Sequence, residues 1–219
     1  MGRLIDLSHT VAAGMVTYKG LPGPVLTDHL SREASRPLYA GGTTFQIGKI
    51  EMVANTGTYV DAPFHRWEDG ADLSELPLAS LAALDGLCIA APHARGLAVD
   101  EDFLEGKDVR GKAVLFATGW SVYWGSASYF HRSSHLTSSA AQALAARGAA
   151  IVGIDSHNID DTEDRTRPVH SILLRAGIPI VEHLVNLDAL PAAGFRFHAV
   201  PVKVAGMGTF PVRAFAEVP

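Results

Sequence analysis

The sequence predicts a single compact α/β domain, a mixed sheet with flanking helices and more strand than helix. Three observations carry this. The chain has 219 residues, a length that suits one domain and buries about 70% of the unfolded chain's surface. Compact apolar runs bounded by Gly or charged residues recur at 86–91, 113–118, 149–154 and 178–182, and read as buried strands. No internal repeat, low-complexity tract or linker divides the chain.

Taken in order, residues 3–8 read as a first strand. Residues 10–37 are rich in Gly, Pro and polar side chains, a long loop of the kind that serves as a lid. Residues 42–54 alternate as a strand pair, with Gly48 as its bulge or turn. A short helix is expected from Pro77, where proline is tolerated at a helix start. Strands follow at 86–91 and 113–118. The alanine-rich stretch 138–147 reads as a helix closed by Gly148. A strand at 149–154 follows, then a helix over 168–176 ending at Gly177, and a strand at 178–182. Residues 187–190 form a helical turn, and strands at 195–204 and 211–215 close the chain.

Composition narrows the function. The hydrophobic fraction is 47%, the charged fraction 19% and the net charge −5, with both signs scattered. This argues against nucleic acid or an anionic membrane surface as partner and leaves a small-molecule substrate. Cys88 is the one cysteine, so an intrachain disulfide and a cysteine zinc site are excluded. It is expected as a buried core thiol. No signal-type stretch opens the sequence and no run approaches a membrane span, so the cytoplasm is the expected location.

The chemistry concentrates at residues 55–65, Asn-Thr-Gly-Thr-Tyr-Val-Asp-Ala-Pro-Phe-His. Asp61 and His65 share this segment. Alone, an Asp near a Gly–Thr turn reads as a turn-former or cap. Further on come Asp155, His157 and Asp160 at a strand end, His170 early in a helix, and Glu182 and His183 at another strand end. Ligands gather at the carboxyl ends of strands in open α/β sheets, so Asp61, Asp155 and Glu182 are expected to share one crevice. Carboxylate and imidazole donors suit Zn²⁺ or Mn²⁺ and metal-assisted hydrolysis, and a free histidine suits a proton shuttle. No nucleophile elbow, phosphate loop or dinucleotide fingerprint competes.

These residues resemble the metal-dependent cyclase/kynurenine formamidase family. Its signature is His-x-Gly-Thr-His-x-Asp-x-Pro-x-His, and residues 55–65 align with it without a gap. Asp6-Leu-Ser-His9, Asp155-Ser-His-Asn-Ile-Asp160, Pro168-Val-His170 with Ile180–Leu187, and Pro211-Val-Arg213 resemble further family blocks in order. The resemblance implies a β/α/β swivelling-type domain spanning residues 1–219 that assembles as a homodimer or homotetramer. Family activities include hydrolysis of N-formylkynurenine and of the cyclic amide isatin. In the formamidases two metals sit close together. The resemblance places the shared aspartate on Asp61, the shared glutamate on Glu182, the helix histidine on His170 and the proton carrier on His65.

The two early signature histidines, however, fall on Asn55 and Tyr59. Asn is a weak neutral ligand and a neutral phenol a poor one. The expectation is therefore one divalent ion, Zn or Mn, on Asp61, His170 and Glu182. The expected reaction is hydrolysis of an amide or a small cyclic amide or lactone. Metal-bound water would attack the carbonyl, with His65 as general acid/base and Asp61 in the catalytic machinery. Asn55, Tyr59, Tyr18 and Trp67 are expected at the substrate, with Asn55 and Tyr59 as oxyanion donors. His9, His157 and His183 are weaker candidates, and the loop at Thr118–Trp120 is expected to face the cleft. The alternatives are a metal-independent cyclase, dehydratase or isomerase pairing His65 with a carboxylate, and a non-catalytic binding protein.

Overall fold

The structure, a computed structural model, describes residues 2–219. Its strands are β1 (Arg3–Asp6), β2 (Val25–Leu30), β3 (Ile47–Glu51), β4 (Tyr59–Asp61), β5 (Leu84–Ala90), β6 (Ala98–Val99), β7 (Ala113–Ala117), β8 (His135–Leu136), β9 (Ile151–Ile154), β10 (Ile180–Glu182), β11 (Ala193–His198), β12 (Thr209–Pro211) and β13 (Phe215–Val218). The helices are α1 (Arg32–Ser35), α2 (Ser138–Arg147) and α3 (Pro168–Arg175). Nine strands form one sheet in the order β1-β13-β11-β5-β7-β9-β10-β4-β12. Its centre, β5-β7-β9-β10, is parallel and its flanks are antiparallel. The mixed α/β sheet expected from sequence is the one observed.

The sheet is buried on both faces at β7 and β9, whose residues are apolar or Gly at every position. Along β7, Ala113 and Leu115 join one core cluster with Ile5, Val60, Phe195 and Phe197, while Val114 and Phe116 join the other. The second cluster takes Leu144 of α2 and Val169, Leu173 and Leu174 of α3, so both helices lie on that face. Alternation of side chains along a strand produces this split. The α2 boundary matches the sequence reading, since Gly148 adopts φ 74°, ψ 46° and caps the helix.

Several expectations are corrected. Residues 10–37 are not one long loop, because they contain β2 and α1. The supposed strand pair at 42–54 is a single strand, β3, whose partner is β2. Gly48 sits opposite Asp28, and the register irregularity lies on the partner, between Asp28 and Leu30. This hairpin is exposed along nearly all its length, so no burial-driven alternation marks its pairing. Pro77 stands before a 3₁₀ turn at Leu78–Ser80 rather than inside an α-helix. The last strand splits into β12 and β13, which pair with different neighbours at opposite edges of the sheet. No described helix is long and apolar enough to cross a membrane.

Gly86 of β5 lies opposite Phe195 of β11, and a Cβ added there would come within 2.0 Å of the buried ring. Gly86→Ala is expected to lower unfolding free energy by at least roughly 1–3 kcal/mol through overpacking. Chemical denaturation would show it, and an unchanged midpoint would contradict the packing described.

Candidate active site

The signature segment enters the sheet at β4. Gly57, just before it, holds φ 66° and donates its N–H to Thr17 Oγ1 at 2.8 Å, a conformation a side chain would strain. In β4, Tyr59 and Asp61 are two residues apart and therefore share a face. The antiparallel register sets Glu182 of β10 opposite Tyr59, and Thr209 of β12 opposite Asp61. All four project toward the side covered by α3, which carries His170. One backbone register thus assembles residues scattered over 150 positions of sequence.

The register's direct product is a set of short polar contacts. Tyr59 donates its hydroxyl to Glu182 Oε2 at 2.5 Å, and Glu182 Oε1 accepts the Ile159 N–H at 2.6 Å. Asp160 accepts the N–H groups of Val169 and His170 at 2.7 and 3.1 Å, so it caps α3, and it lies 2.6 Å from His170 Nδ1. The other nitrogen, His170 Nε2, stands 3.6 Å from Asp61 Oδ2 and 3.7 Å from Glu182 Oε1. Asp61 Oδ2 is buried without a hydrogen-bond partner. Burial alone would lower the His170 pKa, but the bond to Asp160 and the nearby carboxylates of Asp61 and Glu182 outweigh it and push the value to about 10. Burial pushes the Glu182 carboxyl up to about 7, opposed by His170 and reinforced by Asp61. Tyr59 is held well above its usual value, first by burial and then by Glu182, so it stays a proton donor.

His65 lies at the edge of this group with 34% of its side chain exposed. Thr209 fixes its protonation pattern. The Thr209 hydroxyl donates its single proton to Asp61 Oδ1, and the same oxygen lies 2.8 Å from His65 Nδ1. That oxygen can therefore only accept from His65, which puts the ring proton on Nδ1 and the lone pair on Nε2. Nε2 has no protein partner among the described residues. His65 thus presents a base to a cavity of about 260 Å³, lined also by Tyr18, Asn55, Tyr59, His170 and Glu182.

One group of mutually close donors suits a divalent ion. Asp61, His65 and His170 each offer a ligand atom, all within 4.8 Å of one another. Glu182 Oε1 lies 3.7 Å from His170 Nε2 but is not part of that mutually close group. Donors about 2.0–2.2 Å from a tetrahedral ion lie roughly 3.3–3.6 Å apart, close to the 3.6 and 3.7 Å found around His170 Nε2. The orphaned Asp61 Oδ2 stands beside His170 Nε2, whereas His65 Nδ1 lies 2.8 Å from Thr209 Oγ1. The residues present therefore fit a divalent cation.

The structure brings Asp61, His65, His170, Glu182, Asn55, Tyr59 and Tyr18 together. Trp67 does not line the cavity. Its ring packs between Arg66 and Arg175, and its N–H donates to Ser171 O. Tyr59 is no free oxyanion donor, because its proton is spent on Glu182. Asp155 does not join the crevice. It accepts the Thr118 and Gly119 N–H groups at 2.9 and 2.8 Å and lines a different hollow with them. The Thr118–Trp120 loop therefore faces that hollow, and Trp120 is buried. Cys88 is only partly buried, its Sγ 3.6 Å from Leu187 O. His183 bridges Tyr59 and Tyr129, at 3.3 and 2.7 Å, and His9 stacks on Trp124 at 3.8 Å. Sequence reasoning gave Asp160 no role and passed over Thr209, Arg66, Arg167 and Asn158.

The family model Cyclase, described as "Putative cyclase", matches residues 5–161. Kynurenine formamidase of Salinibacter ruber (strain DSM 13855 / M31) is 28% identical over 218 residues, covering 96% of this chain and 95% of that protein. Kynurenine formamidase of Erythrobacter litoralis (strain HTCC2594) is 29% identical over 169 residues, covering 74% and 73%. Isatin hydrolase A from Labrenzia aggregata shares the fold at a TM-score of 0.84 and 23% identity, over 99% of this chain and 93% of that one. A solved structure described as a potential metal-dependent hydrolase with cyclase activity superposes at 0.79 with 26% identity, over 99% and 98%.

The histidines behind the cavity set a pH limit. Burial lowers His9 and His157 to about 4, and both His157 ring nitrogens are unpartnered. Unfolded histidine titrates near 6.5. Protons therefore bind the unfolded chain first, and stability present above about pH 6.5 is lost as pH falls toward 4. Melting temperature measured from pH 7.5 to 4.5 should fall, and His157→Phe should flatten the slope. An equally steep fall in the variant would contradict this assignment.

Proposed function

The chain belongs to the cyclase family, and from that premise we propose that it is an amidohydrolase cleaving the C–N bond of an aryl formamide or small cyclic amide. The observation that carries the reading is the buried, unpartnered Asp61 Oδ2 beside His170 Nε2, with the base of His65 opening onto the same cavity. The formamidase relatives and the hydrolase neighbour at 26% identity support the same chemistry.

In this reading Asp61, His170 and Glu182 hold one divalent ion, zinc or manganese. When bound, it supplies Lewis acidity and lowers the pKa of water toward 7. The protein does the rest. Asp160 orients His170 through Nδ1, so that Nε2 faces the donors, as outer carboxylates do for metal-ligating histidines. Thr209 holds His65 in the tautomer whose Nε2 takes a proton from the attacking water and then gives it to the departing amine nitrogen. Asn55 and Tyr18 line the substrate's side of the cavity. Tyr59 supplies Glu182 with a hydrogen bond where the signature has a second metal's ligand, which supports one ion rather than two.

A homodimer or homotetramer is part of the proposal. The β2–β3 hairpin exposes Val25, Leu26, Ile47 and Ile50 at 52, 44, 50 and 61%. An isolated two-stranded ribbon is marginal in water, and an apolar one of this kind is expected to be covered, here by a second copy. The free thiol of Cys88 suits the cytoplasmic location that is also proposed.

Hydrolysis of N-formylkynurenine and of isatin by the purified protein tests the reading. Activity should disappear on chelation and return with Zn²⁺ or Mn²⁺. His65→Ala should lower kcat by about 10²–10⁴-fold. Chelator-insensitive turnover would overturn the metal assignment and favour metal-free acid/base chemistry. Full activity in His65→Ala would remove the proton carrier.

A further inference from the structure

Asn158 lines the main cavity and is buried, at 5% exposure. It stands between β9 and α3, where residues 155–160 belong to no strand or helix, so hydrogen bonds outside regular structure set their path. That path matters to the site. The Ile159 N–H donates to Glu182 Oε1 at 2.6 Å, and the Asp160 carboxylate lies 2.6 Å from His170 Nδ1. Asn158 supplies two of the bonds that hold the segment. Its Oδ1 accepts the Asp160 N–H at 3.0 Å, an Asx turn that aims the Asp160 side chain. A backbone N–H can only donate, which puts the carboxamide oxygen on that side and the Nδ2 donors on the other. Nδ2 donates to the Tyr18 hydroxyl, and that hydroxyl donates its one proton to His157 O at 3.3 Å. Burial, and then the charge of Glu182, keep the phenol protonated. Tyr18 therefore has no proton left for a substrate, and offers the cavity its ring.

Tyr18 is itself anchored. Residues 14–24 form a loop closed at its base by the Gly14 N–H on Pro24 O at 2.9 Å, and the neighbouring Thr17 Oγ1 accepts the Gly57 N–H at 2.8 Å. A continuous set of bonds thus runs from this loop through Tyr18, Asn158 and Asp160 to His170, with Ile159 branching to Glu182. Neither Tyr18 nor Asn158 bonds directly to Asp61, His170 or Glu182 among the described residues. What a histidine's outer nitrogen bonds decides where its ligating nitrogen points, and losing such outer partners weakens metal binding. We propose that Asn158 is a positioning residue, which, braced by Tyr18, fixes the Asp160 turn and so aims His170 Nε2 at the divalent ion. This rests on the one-ion reading above. It adds two residues that act on the ion's site without touching the ion.

Zinc affinity, measured by competition with a chelating dye, tests this apart from turnover. Asn158→Leu removes both bonds and should weaken zinc binding at least about tenfold. Tyr18→Phe leaves the Asn158 Nδ2 donor without its partner and should weaken it about threefold or more. Asn158→Ser keeps a hydroxyl for the Asp160 N–H but cannot reach Tyr18, and should match Tyr18→Phe. The Tyr18→Phe/Asn158→Ser double variant should bind zinc within about twofold of either single variant, because both remove the same bond. Losses that multiply in the double variant would mark two independent structural effects and overturn the pairing. Wild-type affinity in Asn158→Leu would overturn it as well. If circular dichroism shows Asn158→Leu unfolded, the other three variants decide. Affinities that follow the expected pattern without any amide turnover would support the positioning role while refuting the amidohydrolase reading. A wild type that binds no zinc would refute the ion and, with it, the role built on it.

Discussion

Three carboxylates buried at one spot organise this molecule. Asp61 and Asp160 are 0% exposed and Glu182 is 1% exposed, and the side chain packed directly among them is the imidazole of His170. Burying charge is tolerated only with partners. Asp160 has helix N–H groups and His170, and Glu182 has the Tyr59 hydroxyl and the Ile159 N–H. Asp61 receives one hydroxyl on Oδ1 and nothing on Oδ2. The unmet need at that single oxygen is the physical reason to expect a cation there.

That need also explains the departure from the family signature. A histidine at position 59 would offer Glu182 a shared metal. Tyr59 offers a proton instead, and burial keeps the phenol protonated. His183 and Tyr129 extend the bonding behind it, so the space is occupied by a hydrogen-bonded network rather than a second ligand set. On the proposed reading the acidic group is thereby reduced to a demand that one ion can meet, and His65 remains at the exposed edge, where a proton carrier would meet substrate.

The sequence made the fold legible where burial imposes a pattern. The apolar runs of β5, β7 and β9, and the α2 helix with its glycine cap, could be read directly because two-sided burial and helix termination leave local signatures. The hairpin β2–β3 could not, since its exposed faces need no alternation. The last strands could not either, because whether 211–215 is one strand or two depends on partners far along the chain. The same divide runs through the site. Asp61, His65, His170 and Glu182 were legible through a contiguous signature and ordered blocks. Thr209 was not, because its role arises only from β12 lying in register with β4. Asp155 misled, since the strand-end rule places an acid at a rim without saying which hollow it faces.

The central claim is that one divalent ion sits among Asp61 Oδ2, His170 Nε2 and Glu182 Oε1, with the Tyr59 hydroxyl in place of a second. Diffraction from crystals of gently purified protein, recorded on either side of the zinc and manganese absorption edges, tests it most directly. The account predicts one anomalous peak per chain at those three atoms, with Tyr59 still bonded to Glu182. Two peaks, or one ion ligated by His65 with Glu182 uninvolved, would contradict it.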